Sequence, residues 1–227
     1  MHMLRIGVDV RDPQDAHLSQ DAGDPQDGHD AQDASDPEDS VDARDLAQGT
    51  NLLGAVSLAV TDRVRAAAER GAAQGGSAPA ALVSLAGYFH GSPIDVVRSP
   101  LGLTHSATVR VVDRLVAAGL ARRREGRDRR SVAVELTPAG HSAAEQALSA
   151  RRRALEDALA GLDAAERAEL AHLHAKVLAT LTGGRTDAGQ ICRLCDSHAC
   201  GHWEGRCPVT QAADAGEARA AAKPPPA

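Results

Sequence analysis

Aromatic side chains are almost missing from this 227-residue chain, which holds only Tyr88, Phe89 and Trp203. A core without rings must be built from Leu, Val and Ala, and that favours packed helices over an aromatic-rich sheet. Lysine is as scarce, with Lys176 and Lys223 set against 23 Arg. No apolar run approaches the roughly 20 residues that a membrane span needs. The opening MHMLRIGVDV runs straight into acidic sequence, with no apolar signal core or cleavage site. A cytoplasmic protein with no membrane partner is therefore expected. No Cys precedes Cys192, and in a reducing compartment the four Cys read as thiols or metal ligands rather than disulfides. Enzyme chemistry finds little footing. His172 and His174 lie two apart on a helix and share no face, and no Gly-rich phosphate loop or nucleophile elbow occurs.

What is present is strongly partitioned charge. The formal net charge of −6 argues at first against nucleic acid. Residues 1–49, however, hold 12 Asp, one Glu and three Arg, leaving 22 basic and 18 acidic side chains for the remainder. From Asp9 to Asp45 an Asp stands at every third position except Leu18. Such a stretch buries too little apolar surface to offset its ordering entropy, so disorder is expected there. A solubilising tail, a stretch upstream of the true start codon and a DNA-mimicking competitor are the alternatives for it. Between Arg98 and Arg130 nine Arg face three acidic residues, and a local basic patch is the electrostatic footprint of a DNA binder.

Hydrophobic spacing predicts a helix from Asn51 through Ala67, carrying Leu52, Val56, Val60 and Val64, and a second over Pro79–His90. Ser92 is expected to cap a short helix that Pro100 and Gly102 stop. Thr104 caps the next, with Ala107, Val111 and Leu115 inward, and Gly119 should end it in a left-handed conformation. Two β-branched runs, Leu120–Arg124 and Ser131–Leu136, flank the charged tip Glu125–Arg130 as a hairpin. Thr137-Pro138 and Asp163 open two long helices before Gly183-Gly184. The fold class is thus mainly α: a winged helix-turn-helix with a small hairpin wing, between long helices whose apolar stripes call for a symmetric dimer partner.

DNA reading needs a slim helix with short polar side chains near its N-terminus and cations at phosphate distance. Thr104, His105, Ser106, Ala107 and Thr108 meet the first need, with Arg110 and Arg114 behind them. Arg110 is placed to donate to both guanine O6 and N7. In the hairpin, Arg122, Arg123 and Arg124 are candidates for phosphates, and Arg127, Arg129 or Arg130 for an adjacent minor groove. Asp128 is suited to hold a neighbouring Arg.

The stretch from Leu101 to Leu120, then Gly126–Arg130 and Leu136–Gly140, resembles the MarR family over about residues 50–182. The resemblance implies a triangular homodimer on a pseudo-palindromic operator, held by the first and last two helices. It matches Ser106, Ala107, Thr108 and Arg110, with Asp128 and Arg130 of the wing, to DNA-contacting positions. It also implies a repressor released by a small aromatic ligand, thiol oxidation or metal, with Tyr88 and Phe89 on the helix that lines the ligand pocket. Pro100, the Asp-rich head and the Cys tail depart from the family pattern. The expected organisation is a disordered segment 1–49, a winged-helix domain with dimerisation helices 50–184, a Cys-rich tail 185–210 and a disordered end 211–227.

All four Cys fall in Cys192-x2-Cys195-x4-Cys200-x6-Cys207. Four thiolates in so short a stretch are a ligand signature for zinc or an iron–sulfur cluster. Free thiols that pair on oxidation, or inert ones, remain as alternatives. Two function classes follow. One is a sequence-specific DNA-binding regulator tuned by a small ligand or by this tail. The other is a small redox or electron-transfer protein whose Cys cluster is the active centre.

Overall fold

The computed structural model describes residues 37–126 and 132–222. Arg127, Asp128, Arg129 and Arg130 lie outside these residues. The chain divides into two units, Met1–Leu46 and Ala47–Ala227, and everything below except the start of the first helix belongs to the second.

Eight helices and a three-stranded sheet are described: α1 (Pro37–Ala72), α2 (Ala78–Gly87), β1 (Ser92–Pro93), α3 (Ile94–Leu101), α4 (His105–Ala117), β2 (Ala121–Glu125), β3 (Val132–Leu136), α5 (Pro138–Ala158), α6 (Ala164–Leu181), α7 (Arg185–Cys192) and α8 (Pro208–Ala221). The mainly helical winged-helix class expected from spacing is what forms. Among the described residues no helix is long and apolar enough to cross a membrane.

The core is aliphatic, as the shortage of rings requires. Leu82, Val83 and Leu85 of α2, Val97 of α3, Val112 and Leu115 of α4 and Val134 of β3 are wholly buried together. Each such side chain contributes about 1.5–3 kcal/mol of burial. Local signals set the boundaries around it. The Thr104 Oγ1 accepts from the Ala107 N–H at 3.3 Å and starts α4. Gly119, at φ 70°, ends it as expected. Thr137 accepts from Gly140 N–H at 3.1 Å and donates to Gly119 C=O at 2.7 Å, tying the start of α5 to the end of α4. A Cβ at Gly140 would stand 1.9 Å from the Leu120 carbonyl oxygen, so only glycine lets α5 approach this closely. Asp163 and Glu166 form a full capping box on α6.

Several boundaries differ from expectation. Helix α1 begins at Pro37 rather than Asn51 and runs through Gly71, where a Cβ would meet the Gln146 carbonyl oxygen of α5 at 2.5 Å. Gly71, beyond the expected end at Ala67, is the crossing point of two helices. Ser92 is no helix cap: with Pro93 it pairs antiparallel to Val134 and Ala133, making the sheet order β1-β3-β2. Helix α2 ends at Gly87, so Tyr88 and Phe89 follow the helix instead of riding on it. Pro100 sits inside the last turn of α3, buried. Residues 208–221, expected as loop and disordered end, are a helix with Val209 and Ala213 buried.

The long helices leave apolar surface uncovered. Helix α6 has no buried residue, and Leu173, Val177 and Leu181 stand 46%, 39% and 63% exposed. Leu52, Leu53 and Val56 of α1 are likewise more than half exposed.

Candidate DNA-reading surface and cysteine tail

Two groups of residues carry the chemistry: the outer face of α4 with strand β2, and the tail beyond α6. On α4, Thr104, His105, Ser106, Arg110 and Arg114 are exposed and Ala107 is half-buried. Among the described residues neither Arg110 nor Arg114 has an ion-pair partner. The His105 Nδ1 lies 2.8 Å from Asp95 Oδ1 at the start of α3, which orients the ring at the mouth of α4. Thr108 departs from its expected role. It is wholly buried and its hydroxyl donates to the Thr104 carbonyl at 3.0 Å, so it faces the core and closes the first turn. The register explains this: Thr108 leads Val111, Val112 and Leu115 on the buried side of the helix.

Strand β2 presents Arg122, Arg123 and Arg124 in succession, and all three are exposed. They are not free cations. Arg122 and Arg124 both donate to Glu135 of β3, at 3.0 and 3.2 Å, while Arg123 meets Asp113 of α4 at 2.7 Å. Glu135 was missed in the sequence because its significance is a cross-strand one, opposite Arg122 in the ladder. Partial desolvation works against its ionisation, yet the hydrogen bonds from Arg124 and Arg122 prevail and hold its carboxyl below the ordinary range.

The tail docks on the same lobe. Helix α7 packs against α3, with Gly189 in contact with Pro100, and α8 packs against both α6 and α7. Arg185 at the start of α7 pairs with Asp214 and, at 3.1 Å, with Glu217 of α8. Leu194 packs on the aliphatic core, and Ser84 Oγ donates to the Arg193 carbonyl at 3.4 Å. The three aromatic residues of the chain meet here. Trp203 stacks on Tyr88 with ring centroids 6.2 Å apart, Phe89 lies 6.1 Å from Tyr88, and His202 sits edge-on between Tyr88 and Trp203. Two cavities flank the junction. One of about 410 Å³ is lined by Tyr88, Phe89, Val96, Pro100, Cys192 and His202. One of about 670 Å³ lies among α1, α2, α5 and the tail, with Arg65, Glu69 and Arg151 on its walls. Tyr88 and Phe89 thus line a cavity, but the tail forms its far wall.

The four cysteines are free thiols set as two sulfur pairs, Cys192 with Cys195 and Cys200 with Cys207. The Cys192 thiol donates to Cys195, which with help from Arg151 lowers Cys195 to about 7 against the effect of burial. That shared proton, and then burial, push Cys192 up. Burial, then the Cys207 sulfur, push Cys200 up to about 11. Among the described residues no three His, Cys, Asp or Glu side chains stand ready as a metal cage. Tyr88 supplies a further oddity: its hydroxyl is buried with no hydrogen-bond partner. Burial first, and then all four cysteine sulfurs, push its phenol upward.

No protein-family model and no curated protein matches the sequence. Solved structures do resemble the fold. The YusO protein from Bacillus subtilis aligns at a TM-score of 0.52 with 21% identity, covering 60% of this chain and 95% of its own. A MarR family protein from Bacillus stearothermophilus aligns at 0.52 with 22% identity, covering 60% of this chain and 94% of its own. A sheet-flanked helix-turn-helix between long helices, superposable on nearly the whole of those proteins, is the MarR-family winged-helix fold.

Proposed function

We propose that the chain is a transcription regulator that binds duplex DNA as a homodimer and acts as a repressor on a pseudo-palindromic operator. The observation that carries this reading is the outer face of α4, where Arg110 and Arg114 have no ion-pair partner among the described residues and stand beside exposed Thr104, His105 and Ser106. A cationic helix with short side chains at its N-terminus suits the major groove. Arg110 would read a guanine edge. The Arg of β2, and Arg127, Arg129 and Arg130 at the wing tip with Asp128 to orient them, would follow the backbone and minor groove.

The exposed apolar side chains of α1 and α6 support a second copy of the chain as their cover. Such a dimer would set two recognition helices at half-sites about 34–36 Å apart. A small aromatic inducer would enter the cavity beside Tyr88 and Phe89, and the tail would tune DNA reading. No enzymatic role is proposed, and the place of action is the cytoplasm.

The test is selection of duplex DNA from a random pool, followed by binding across a salt series. A regulator gives a half-site repeat and a log–log salt slope of about −0.9 per phosphate contact. The redox-protein alternative gives no selected sequence and no retained DNA at low salt, and that result would end the DNA-binding reading.

A further inference from the structure

The tail holds every cysteine of the chain and is anchored beside a buried hydroxyl that lacks a partner. Cys192 closes α7, and the Cys195 N–H donates to its carbonyl at 2.8 Å, a tight turn between the two residues. Cys200 lies in the following turn, where its thiol approaches the Ser197 carbonyl at 3.6 Å. Cys207 is buried at the cap of α8, yet its side chain makes no capping bond. Cys192, at the end of α7, lines the cavity that Tyr88 also lines, and Cys207 stands at the start of α8, the helix packed on α7. A neutral thiol is a weak acceptor and a thiolate a stronger one. A buried, unpaired hydroxyl is costly, and Cys192 is the sulfur that shares its cavity.

We infer that the four cysteines close on one soft metal centre as four thiolates, and that Tyr88 donates its hydroxyl proton to one of those sulfurs. Four thiols bind one divalent ion and release their protons to solvent, with no change of oxidation state. Zinc fits this set tetrahedrally, and an iron–sulfur cluster uses the same four thiolates. The pairs need only draw together, since the turns between them are held by local bonds such as Arg206 N–H to Gly201 C=O. A loaded centre joins α7 to α8 and fixes both against α3, the helix that supports α4. This last consequence rests on the DNA-reading proposal; the metal site does not.

The first experiment is metal and sulfide analysis of the full chain purified without oxygen, with cobalt(II) titration of the chelated protein. One zinc per chain, or iron with matching sulfide, supports the site and says which centre it holds. Cobalt should give intense thiolate charge-transfer absorption and change the emission of Trp203, the sole tryptophan. Four freely titrating thiols, no bound metal and no cobalt–thiolate band would overturn the site. Tyr88→Phe then tests the donor, because its two expected effects have opposite signs. It should raise the melting temperature of the chelated chain, by removing an unpaired hydroxyl, while weakening cobalt affinity about tenfold. Unchanged cobalt affinity would overturn the Tyr88 role. DNA affinity of loaded against chelated protein is read separately, so loss of the DNA reading leaves the metal result standing, and the reverse.

Discussion

The winged-helix lobe and the cysteine tail hold their shapes by different means. The lobe buries Leu82, Leu85, Val97, Val112, Leu115 and Val134 completely, in a cluster drawn from seven elements. Apart from Cys207, the tail buries only Val209 and Ala213 among its apolar side chains. It relies on the Arg185 ion pairs, a set of turns and the ring contacts of His202 and Trp203 with Tyr88. A segment with so little apolar burial opens at low cost unless a further link closes it. The difference teaches where control can enter: the lobe is held by its own aliphatic core, while the tail has little burial of its own and would need a further link, such as the inferred metal centre, to close.

The largest effect should come from the lobe. Leu115→Ala leaves a cavity beneath α4, the proposed recognition helix, and should cost about 2–5 kcal/mol, read as a lower urea midpoint together with loss of DNA retention. Val209→Ala in the tail removes two methyl groups at roughly 0.8 kcal/mol each. It should shift only the protease sensitivity of the segment beyond Gly183. If both substitutions move one shared transition, lobe and tail unfold as a unit and the contrast between them is wrong.

Gly140→Ala comes next. The Cβ cannot coexist with the Leu120 carbonyl at 1.9 Å, so α5 must withdraw from the wing at a cost of about 1–3 kcal/mol. Thermal unfolding measures it. A variant as stable as the parent would mean that the close approach of α5 to the turn before β2 is not needed for the lobe.

Much of the lobe was readable before any coordinates, because its signals are local. Thr104, Thr137, Asp163 and Gly119 each act within a turn of their own position, and all four do what their residue types suggest. Non-local features were not readable. Nothing in Ser92-Pro93 announces a strand that exists only because β3 passes beside it. Glu135 gains its meaning from Arg122 and Arg124 across a ladder. Thr108 passed as a base reader because its hydroxyl suits that task, whereas the helical register turns it inward. Helix α8 was hidden for another reason. Its buried residues are as modest as Val209 and Ala213, too few to draw an apolar stripe in an Ala-rich sequence. The docking of the tail on α3 had one trace in the sequence, the clustering of rare aromatics near residues 88 and 203, which carries no pairing information alone.

On the DNA-reading face, Arg110→Ala should cost about 1–3 kcal/mol of affinity for the selected site and relax preference at one base pair. Thr108→Val is its control. The buried hydroxyl bonds inside the helix, so this change should lower stability by about 1 kcal/mol and leave the affinity of the folded fraction unaltered. Equal losses of base preference from both variants would place Thr108 at the DNA after all.

The smallest change in stability, and the most discriminating, should follow Glu135→Gln. Its ion pairs with Arg122 and Arg124 involve exposed guanidinium groups, and such solvent-screened pairs add little to stability. Unfolding should therefore barely move. DNA binding should respond more, since Glu135 neutralises cations on the strand proposed to face the phosphates. Released from it, Arg122 and Arg124 become available as counter-charges, so affinity at low salt should rise and the salt slope steepen by about 0.9 for each new phosphate contact. A fall in affinity would carry the opposite meaning: the carboxylate would be aiming the two Arg side chains at the backbone, and the wing would read DNA through a built geometry and not through net charge.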